Sequence, residues 1–195
     1  MKRALCMLGL VGAAGCATVQ ASHVSPGYAA SDKQKVKRLL VVTSPFPGGR
    51  EDVAKMWSAF TRKYVNLHRN FLVKAEKALA TADLAPKSLC GEGLEGVLWL
   101  KPTAMKQAAK SVHAGVEASL VRCSDGGEVW GAKAAGGWPT EDANLSGDIQ
   151  EYVGSLGSDV GSYYPSTFYL LRAALDTLPD PALTDEETNE KIELE

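Results

Sequence analysis

The sequence is poor in the residues from which recognisable chemistry is usually built. Its 195 residues include four cysteines and three histidines. His23, His68 and His113 are scattered, and no second cysteine or histidine lies close to Cys90 or Cys123, which argues against a zinc site. Neither charge is in excess: the formal net charge is -2. No basic stripe is interleaved with aromatics, so no nucleic-acid partner is expected. No apolar run reaches the roughly 20 residues that a membrane-spanning helix needs. The Gly-Lys-Ser/Thr ending of a phosphate loop and the Gly-x-Ser-x-Gly elbow are both missing. No reaction class can therefore be given residues in named roles. No catalytic residue, metal ligand or cofactor is assigned, and the expectation is a protein that is not an enzyme.

What the sequence does have begins at its first residues. Lys2 and Arg3 form a basic start, and the run from Ala4 to Ala14 is apolar apart from small glycines. A basic region, a short apolar core and a small-residue end are the pattern of a secretory signal peptide, here residues 1–15. The run ends Ala13-Ala14-Gly15-Cys16. This resembles the lipobox of bacterial lipoproteins, with Ala13 in place of the usual leucine. The resemblance implies that the Cys16 thiol receives a diacylglyceryl group and that Cys16 becomes the acylated first residue of the mature chain. One acyl chain anchors only reversibly, whereas two or three hold a protein on the bilayer. Ala17 is not the aspartate associated with inner-membrane retention in Gram-negative bacteria. The resemblance thus implies the bacterial cell envelope, at the periplasmic face of the outer membrane.

Export permits disulfides. With Cys6 discarded in the signal peptide and Cys16 acylated, Cys90 and Cys123 remain, and an even remainder in an exported domain predicts a bridge between them. Residues 16–35 are small and polar, with Pro26 and Gly27, and read as a lipidated flexible tether with a span of roughly 25 Å. Residues 182–195 carry Asp185, Glu186, Glu187, Glu190, Glu193 and Glu195 against Lys191 alone. That composition predicts a disordered acidic tail.

Between these lies a single domain, residues 36–181. Residues 36–43 (VKRLLVVT) predict a buried strand. A stripe through Val53, Met56, Phe60, Tyr64, Leu67, Phe71, Ala75 and Leu79 predicts one long helix over 51–80. Residues 96–101 predict a second strand, parallel to the first across that helix. Residues 111–123 alternate as a half-buried strand, turn at Ser124-Asp125-Gly126-Gly127, and return over 128–135 as an antiparallel hairpin. Helices are expected over 142–161 and 166–178, separated at Tyr163-Tyr164-Pro165. The fold class is α/β: a small two-layer sandwich with a mixed sheet of about four strands, in β-α-β-β-β-α order with C-terminal helices.

Two segments invite a functional reading. Residues 44–50, Ser44-Pro45-Phe46-Pro47-Gly48-Gly49-Arg50, join a strand to a helix N-terminus, where small anions can bind. The two prolines remove amides such a cradle would use, so a structural turn is the simpler reading. Tyr163, Tyr164, Phe168 and Tyr169 are candidate partner contacts, because aromatics are enriched in binding hot spots. The competing reading is that they bury the last helix against the sheet.

Val121-Arg122-Cys123-Ser124-Asp125-Gly126-Gly127-Glu128-Val129-Trp130 resembles a Leu-Val-Asp-x-x-Thr-Gly-Glu-Val-Leu-Trp hairpin of several envelope lipoproteins. Leu175-Asp176-Thr177-Leu178-Pro179-Asp180-Pro181 is similar to the ending of some of them. These families include the penicillin-binding-protein activators, the curli-secretion lipoprotein and the TolB N-terminal domain. The resemblance implies a non-enzymatic, membrane-anchored adaptor that binds periplasmic or outer-membrane proteins. The alternatives are an oligomeric subunit of a secretion or assembly complex, with copies of the chain as partners, and a periplasmic hydrolase.

Overall fold

The computed structural model describes residues 18–81 and 84–194. Six strands form one mixed sheet: β1 (Thr18–Val24), β2 (Arg38–Thr43), β3 (Leu72–Ala78), β4 (Gly96–Gln107), β5 (Ser111–Arg122) and β6 (Glu128–Pro139), in spatial order β1-β6-β5-β4-β2-β3. This corrects the expected sheet of about four strands, because two segments read as something else are strands. β2 lies between β3 and β4 and is parallel to both. β4, β5, β6 and β1 follow as antiparallel neighbours.

β3 comes out of the expected long helix. Helix α1 (Glu51–His68) stops where Arg69 turns extended, at φ -126° and ψ 153°. The Asn66 side chain fixes the turn. Its Oδ1 accepts from the Val73 amide at 2.8 Å, and its Nδ2 donates to the Val73 carbonyl. Phe71, Leu72 and Val73 are then fully buried in the sheet. A run of three apolar residues satisfies the strand period and the helical stripe alike, so periodicity alone assigns it to the helix.

β1 comes out of the expected tether. It has almost no apolar content to bury, and all its residues but Val19 are exposed. Its stability comes from the ladder with β6, running from Thr18 opposite Ala135 to Val24 opposite Trp130. Ladder hydrogen bonds between backbones leave little mark in composition. The chain then makes a short helical turn over Tyr28–Asp32 and Lys33–Lys35 before entering β2.

One face of the sheet carries the main core. Leu39, Val41, Leu98, Leu100, Val116, Leu120 and Trp130 point into it and meet α1, α2 (Ser146–Leu156) and α3 (Tyr164–Leu175). Trp57 on α1 donates its indole N–H to Thr167 on α3 at 3.0 Å, which satisfies the one polar atom of a fully buried ring. The break between the last two core helices falls at Gly157, at φ +102°, where only glycine avoids a Cβ penalty. It lies before the expected Tyr163-Tyr164-Pro165 kink, since Pro165 sits in the first turn of α3, where its missing N–H costs nothing.

The opposite face of β2 and β4 carries a smaller cluster: Leu40, Val42, Val97, Trp99 and Leu79. Leu89, Cys90 and Leu94 pack against it from the segment before β4, and Cys123 from just after β5.

The acidic C-terminus is ordered over helix α4 (Asp185–Ile192), which corrects the expected disorder. Thr184 and Glu187 form a capping box. Glu187 pairs with the buried Lys37 at 2.6 Å, and Glu190 pairs with Arg38 at 2.7 Å and Lys74 at 2.5 Å. The acids that make the segment look disordered in composition are the groups that dock it.

Candidate interaction surfaces

The end of the sheet where β2, β3 and β4 begin carries the densest polar cluster. Cys90 and Cys123 are joined, with an S–S distance of 2.04 Å. Beside them opens a cleft of about 720 Å³, lined by residues that include Asp32, Glu95, Arg122, Asp125 and the two half-cystines. Lys35 also lines it, and Asp32, Glu95, Arg122 and Asp125 are engaged within the fold. Arg122 Nη1 donates to both oxygens of Asp32, at 2.7 and 2.8 Å, and Arg122 Nε donates to Asp125 at 3.0 Å. Asp32 is 1% exposed, so this pair is a tie inside the fold. The Arg122 guanidinium holds the Asp125 carboxyl below the ordinary carboxylate range. Glu95 accepts from the amides of Lys37 and Arg38, at 2.8 and 2.9 Å. These contacts tie the turn over Tyr28–Asp32 and Cys90 to the end of β5.

Residues 44–50 are likewise taken up by the fold. Ser44 accepts a hydrogen bond from the indole N–H of Trp99 at 2.6 Å. Phe46 packs edge-on against Trp57, with ring centroids 4.7 Å apart. Arg50 pairs with Asp52 at 2.6 Å, and its guanidinium lies 4.5 Å over the Tyr163 ring. Gly48 and Gly49 take positive φ to make the turn.

The aromatic candidates are drawn inward. Tyr163 and Tyr164 are 8% and 3% exposed, which corrects their reading as partner contacts. Tyr164 stacks on Tyr152 at 5.0 Å and meets Phe60 edge-on. Burial pushes the Tyr164 and Tyr152 phenols well above their ordinary pKa. Phe168 and Tyr169 are half-buried. Phe168 meets Phe60 edge-on, and Tyr169 donates to Asp142 at 2.7 Å. Covering the sheet takes up these rings before a partner could.

What remains open among the described residues is the outer face of β5, β6, β1 and the second half of β4, together with the outer edge of β1. Among the described residues β1 ends the sheet and pairs only with β6. The outer face is small and charged. Glu117 pairs with Lys133 across β5 and β6 at 2.7 Å. His23 pairs with Glu128 at 2.6 Å, and its ring lies where a Cβ on Gly131 would come within 2.5 Å of it. A shallow groove runs between Ala21, Ser119 and Gly131. Sequence reasoning missed this edge, because the only signal for it is the weak alternation Val19-Gln20-Ala21-Ser22. The three histidines stay apart, and among the described residues no group of three or more His, Cys, Asp or Glu could hold a metal ion. Among those residues, too, no helix is long and apolar enough to cross a membrane. Cys16 lies outside the described residues, two positions before the start of β1.

No protein-family model and no curated protein matches this chain. Solved structures similar to it are distant in sequence. The PelC dodecamer from Paraburkholderia phytofirmans is 13% identical, with 80% of this chain and 97% of that chain covered and a TM-score of 0.41. The lipoprotein GNA1162 from Neisseria meningitidis is 16% identical over 61% of this chain and 96% of its own, with a TM-score of 0.40. The hypothetical protein CT253 from Chlamydia trachomatis is 10% identical over 70% of this chain and 99% of its own, with a TM-score of 0.37.

Proposed function

We propose that this chain is a lipid-anchored, non-enzymatic protein of the bacterial envelope that binds periplasmic or outer-membrane proteins. The observation that carries the reading is the run from the basic Lys2-Arg3 start through the apolar core to Ala13-Ala14-Gly15-Cys16. The bridged Cys90–Cys123 pair supports it, since such a bond persists in exported proteins. So does the outer edge of β1, which among the described residues pairs with no further strand and so offers a template for strand addition. In mechanism, the acyl groups on Cys16 fix location, and the sheet edge and outer face make the contact.

A second reading is favoured by the same edge. An open strand can be completed by another copy of the chain as well as by a different protein. The reading is then an oligomeric subunit of an assembly complex.

Crosslinking the native protein in its own envelope, with Cys16→Ser as control, tests both readings. Adducts with other envelope proteins, lost in Cys16→Ser, are expected for an adaptor. Adducts at multiples of the chain's own mass are expected for an oligomeric subunit. Equal membrane retention of the Cys16→Ser protein would overturn the anchor.

A further inference from the structure

Helix α4 is held by charge and by little else. The apolar residues of its segment are Leu183, Ile192 and Leu194, and none of them is buried. Ile192 is 65% exposed. A helix this short is marginal on its own in water, where about 12 to 15 residues are needed. Its order therefore comes from where its glutamates sit. Glu187 pairs with Lys37 at 2.6 Å, and Glu190, one turn on, pairs with Arg38 at 2.7 Å and Lys74 at 2.5 Å. The Lys191 ammonium donates to the Asn66 carbonyl.

The floor of this contact is a basic site built by other elements. Lys37 and Arg38 lead into β2, and Lys74 is the extra residue where the β2–β3 register shifts. Among the described residues, Lys37 pairs with Glu187 and Lys74 with Glu190, so both depend on α4 for a carboxylate. Arg38 also reaches Glu95 at 3.3 Å, so the site keeps one acid of its own. Arg69 is served by Asp180 at 3.2 Å and takes no part. Without α4, three cations would face Glu95 alone. Lys37 is buried, and a buried charge stripped of its partner is strongly destabilising. The site therefore calls for an acid. Arg38, Lys74 and Glu190 are partly exposed, so their pairs hold the helix only weakly. Asp180 accepts from the Asn70 amide at 2.9 Å, and the Ala182 amide donates to the Lys33 carbonyl at 2.8 Å. The connector is thus pinned as far as Ala182, and the helix beyond it can open without disturbing the sheet.

We propose that Lys37, Arg38 and Lys74 form a binding site for an acidic helical segment of a partner protein, and that α4 is the internal ligand that keeps this site closed. The partner segment presents two carboxylates one turn apart behind a capped N-terminus, as Glu187 and Glu190 are presented behind Thr184. Charge-assisted hydrogen bonds from the three cations then hold it. A partner meets only the fraction of molecules in which α4 is open, and its apparent affinity falls by that fraction. This site lies apart from the edge of β1, and nothing in it depends on Cys16.

The test uses a fluorescein-labelled peptide of residues 183–195 as the acidic segment, with fluorescence anisotropy on the full chain. Thr184→Ala removes the cap from the resident helix and leaves every cation of the site in place. Loss of a cap shifts the opening equilibrium about fivefold. Peptide binding about fivefold tighter to Thr184→Ala than to the parent is expected. Equal binding to the two, or binding to neither, would overturn the proposal. Lys74→Gln in the Thr184→Ala chain should weaken binding about threefold, and Glu187→Gln in the peptide about a hundredfold. No change from either substitution would also overturn it. A scrambled peptide that binds as well as the native one would show that net charge is read and not a helix. A Thr184→Ala chain that dimerises instead of taking up the peptide would give the site to a second copy, and displacement of the peptide by phosphatidylglycerol vesicles would give it to a lipid headgroup. Each of these three outcomes overturns the reading. Hydrogen exchange on the unmodified chain supplies a second readout: α4 amides should exchange faster than those of β2, and equal protection would show that the helix does not open.

Discussion

Glu190 shows how one side chain can order a segment whose composition predicts disorder. Hydrogen bonds from Arg38 and then Lys74 pull its pKa from an ordinary 4.5 to about 2. A carboxylate with a lowered folded-state pKa adds stability above its unfolded value, and that stability is lost as pH falls through the folded value. The Glu190 contribution is therefore whole above about pH 4.5 and gone near pH 2. Glu190→Gln should lower the urea midpoint at neutral pH, and its difference from the parent should shrink to nothing across that window. A constant difference at all pH values would mean that the glutamate acts by packing. Neighbouring Glu187 acts on a buried partner: Lys37 is 4% exposed and would be left unpaired without it. At this scale the sequence is readable where a residue has few options. Once Cys6 and Cys16 are set aside as the N-terminal pattern suggests, Cys90 and Cys123, which are joined, have only each other. The tyrosines do not, because a Tyr every few residues fits an inward stripe and a binding patch equally, and only the packed helices decide.

Among elements, the legible ones bury a regular pattern. β2, the first part of α1 and the β5–β6 hairpin each carry an unbroken apolar run or alternation, and each is found where that pattern puts it. β3 was hidden because Phe71, Leu72 and Val73 continue the helical stripe, while the signal that ends α1 is the Asn66 side chain bonding to the Val73 backbone. β1 was hidden because an edge strand with both faces exposed buries nothing. The same scale governs the segment from Leu79 to Leu94. Among its described residues it has one short 3₁₀ turn, Pro86–Leu89, and Cys90 is held beside the Trp99 cluster by its bond to Cys123. The bond closes a loop of sequence separation 33. Replacing both cysteines by serine should cost about 3 to 4 kcal/mol in the chain-entropy model. If the segment lifts, Trp99, now 1% exposed, should shift its emission to the red. Lost stability without that shift would mean the segment stays seated on its leucines.

For the whole molecule, the finding that matters is how little chain separates Cys16, the proposed anchor residue, from β1. A flexible tether of 16–35 would let the domain turn freely, but β1 starts at Thr18 and leaves Ala17 alone between Cys16 and the sheet. An acylated Cys16 would then set the orientation of the domain as well as its address. Inserting a flexible Gly/Ser linker of about 15 residues between Ala17 and Thr18 would restore an end-to-end span of roughly 20 Å. The expected result is unchanged membrane retention with weakened crosslinking to the partner. Full crosslinking in the linker variant would show that orientation is not part of binding.

The pairing of β1 with β6 also sets an order of events. Thr18 has no strand to join until Ala135 has been made and delivered to the same side of the membrane. A chain that crosses N-terminus first must therefore keep its first strand waiting while nearly everything up to β6 follows. The last edge to close is the one nearest Cys16, so on the proposed reading the enzymes that would acylate and cleave there would meet a chain whose first strand is not yet paired.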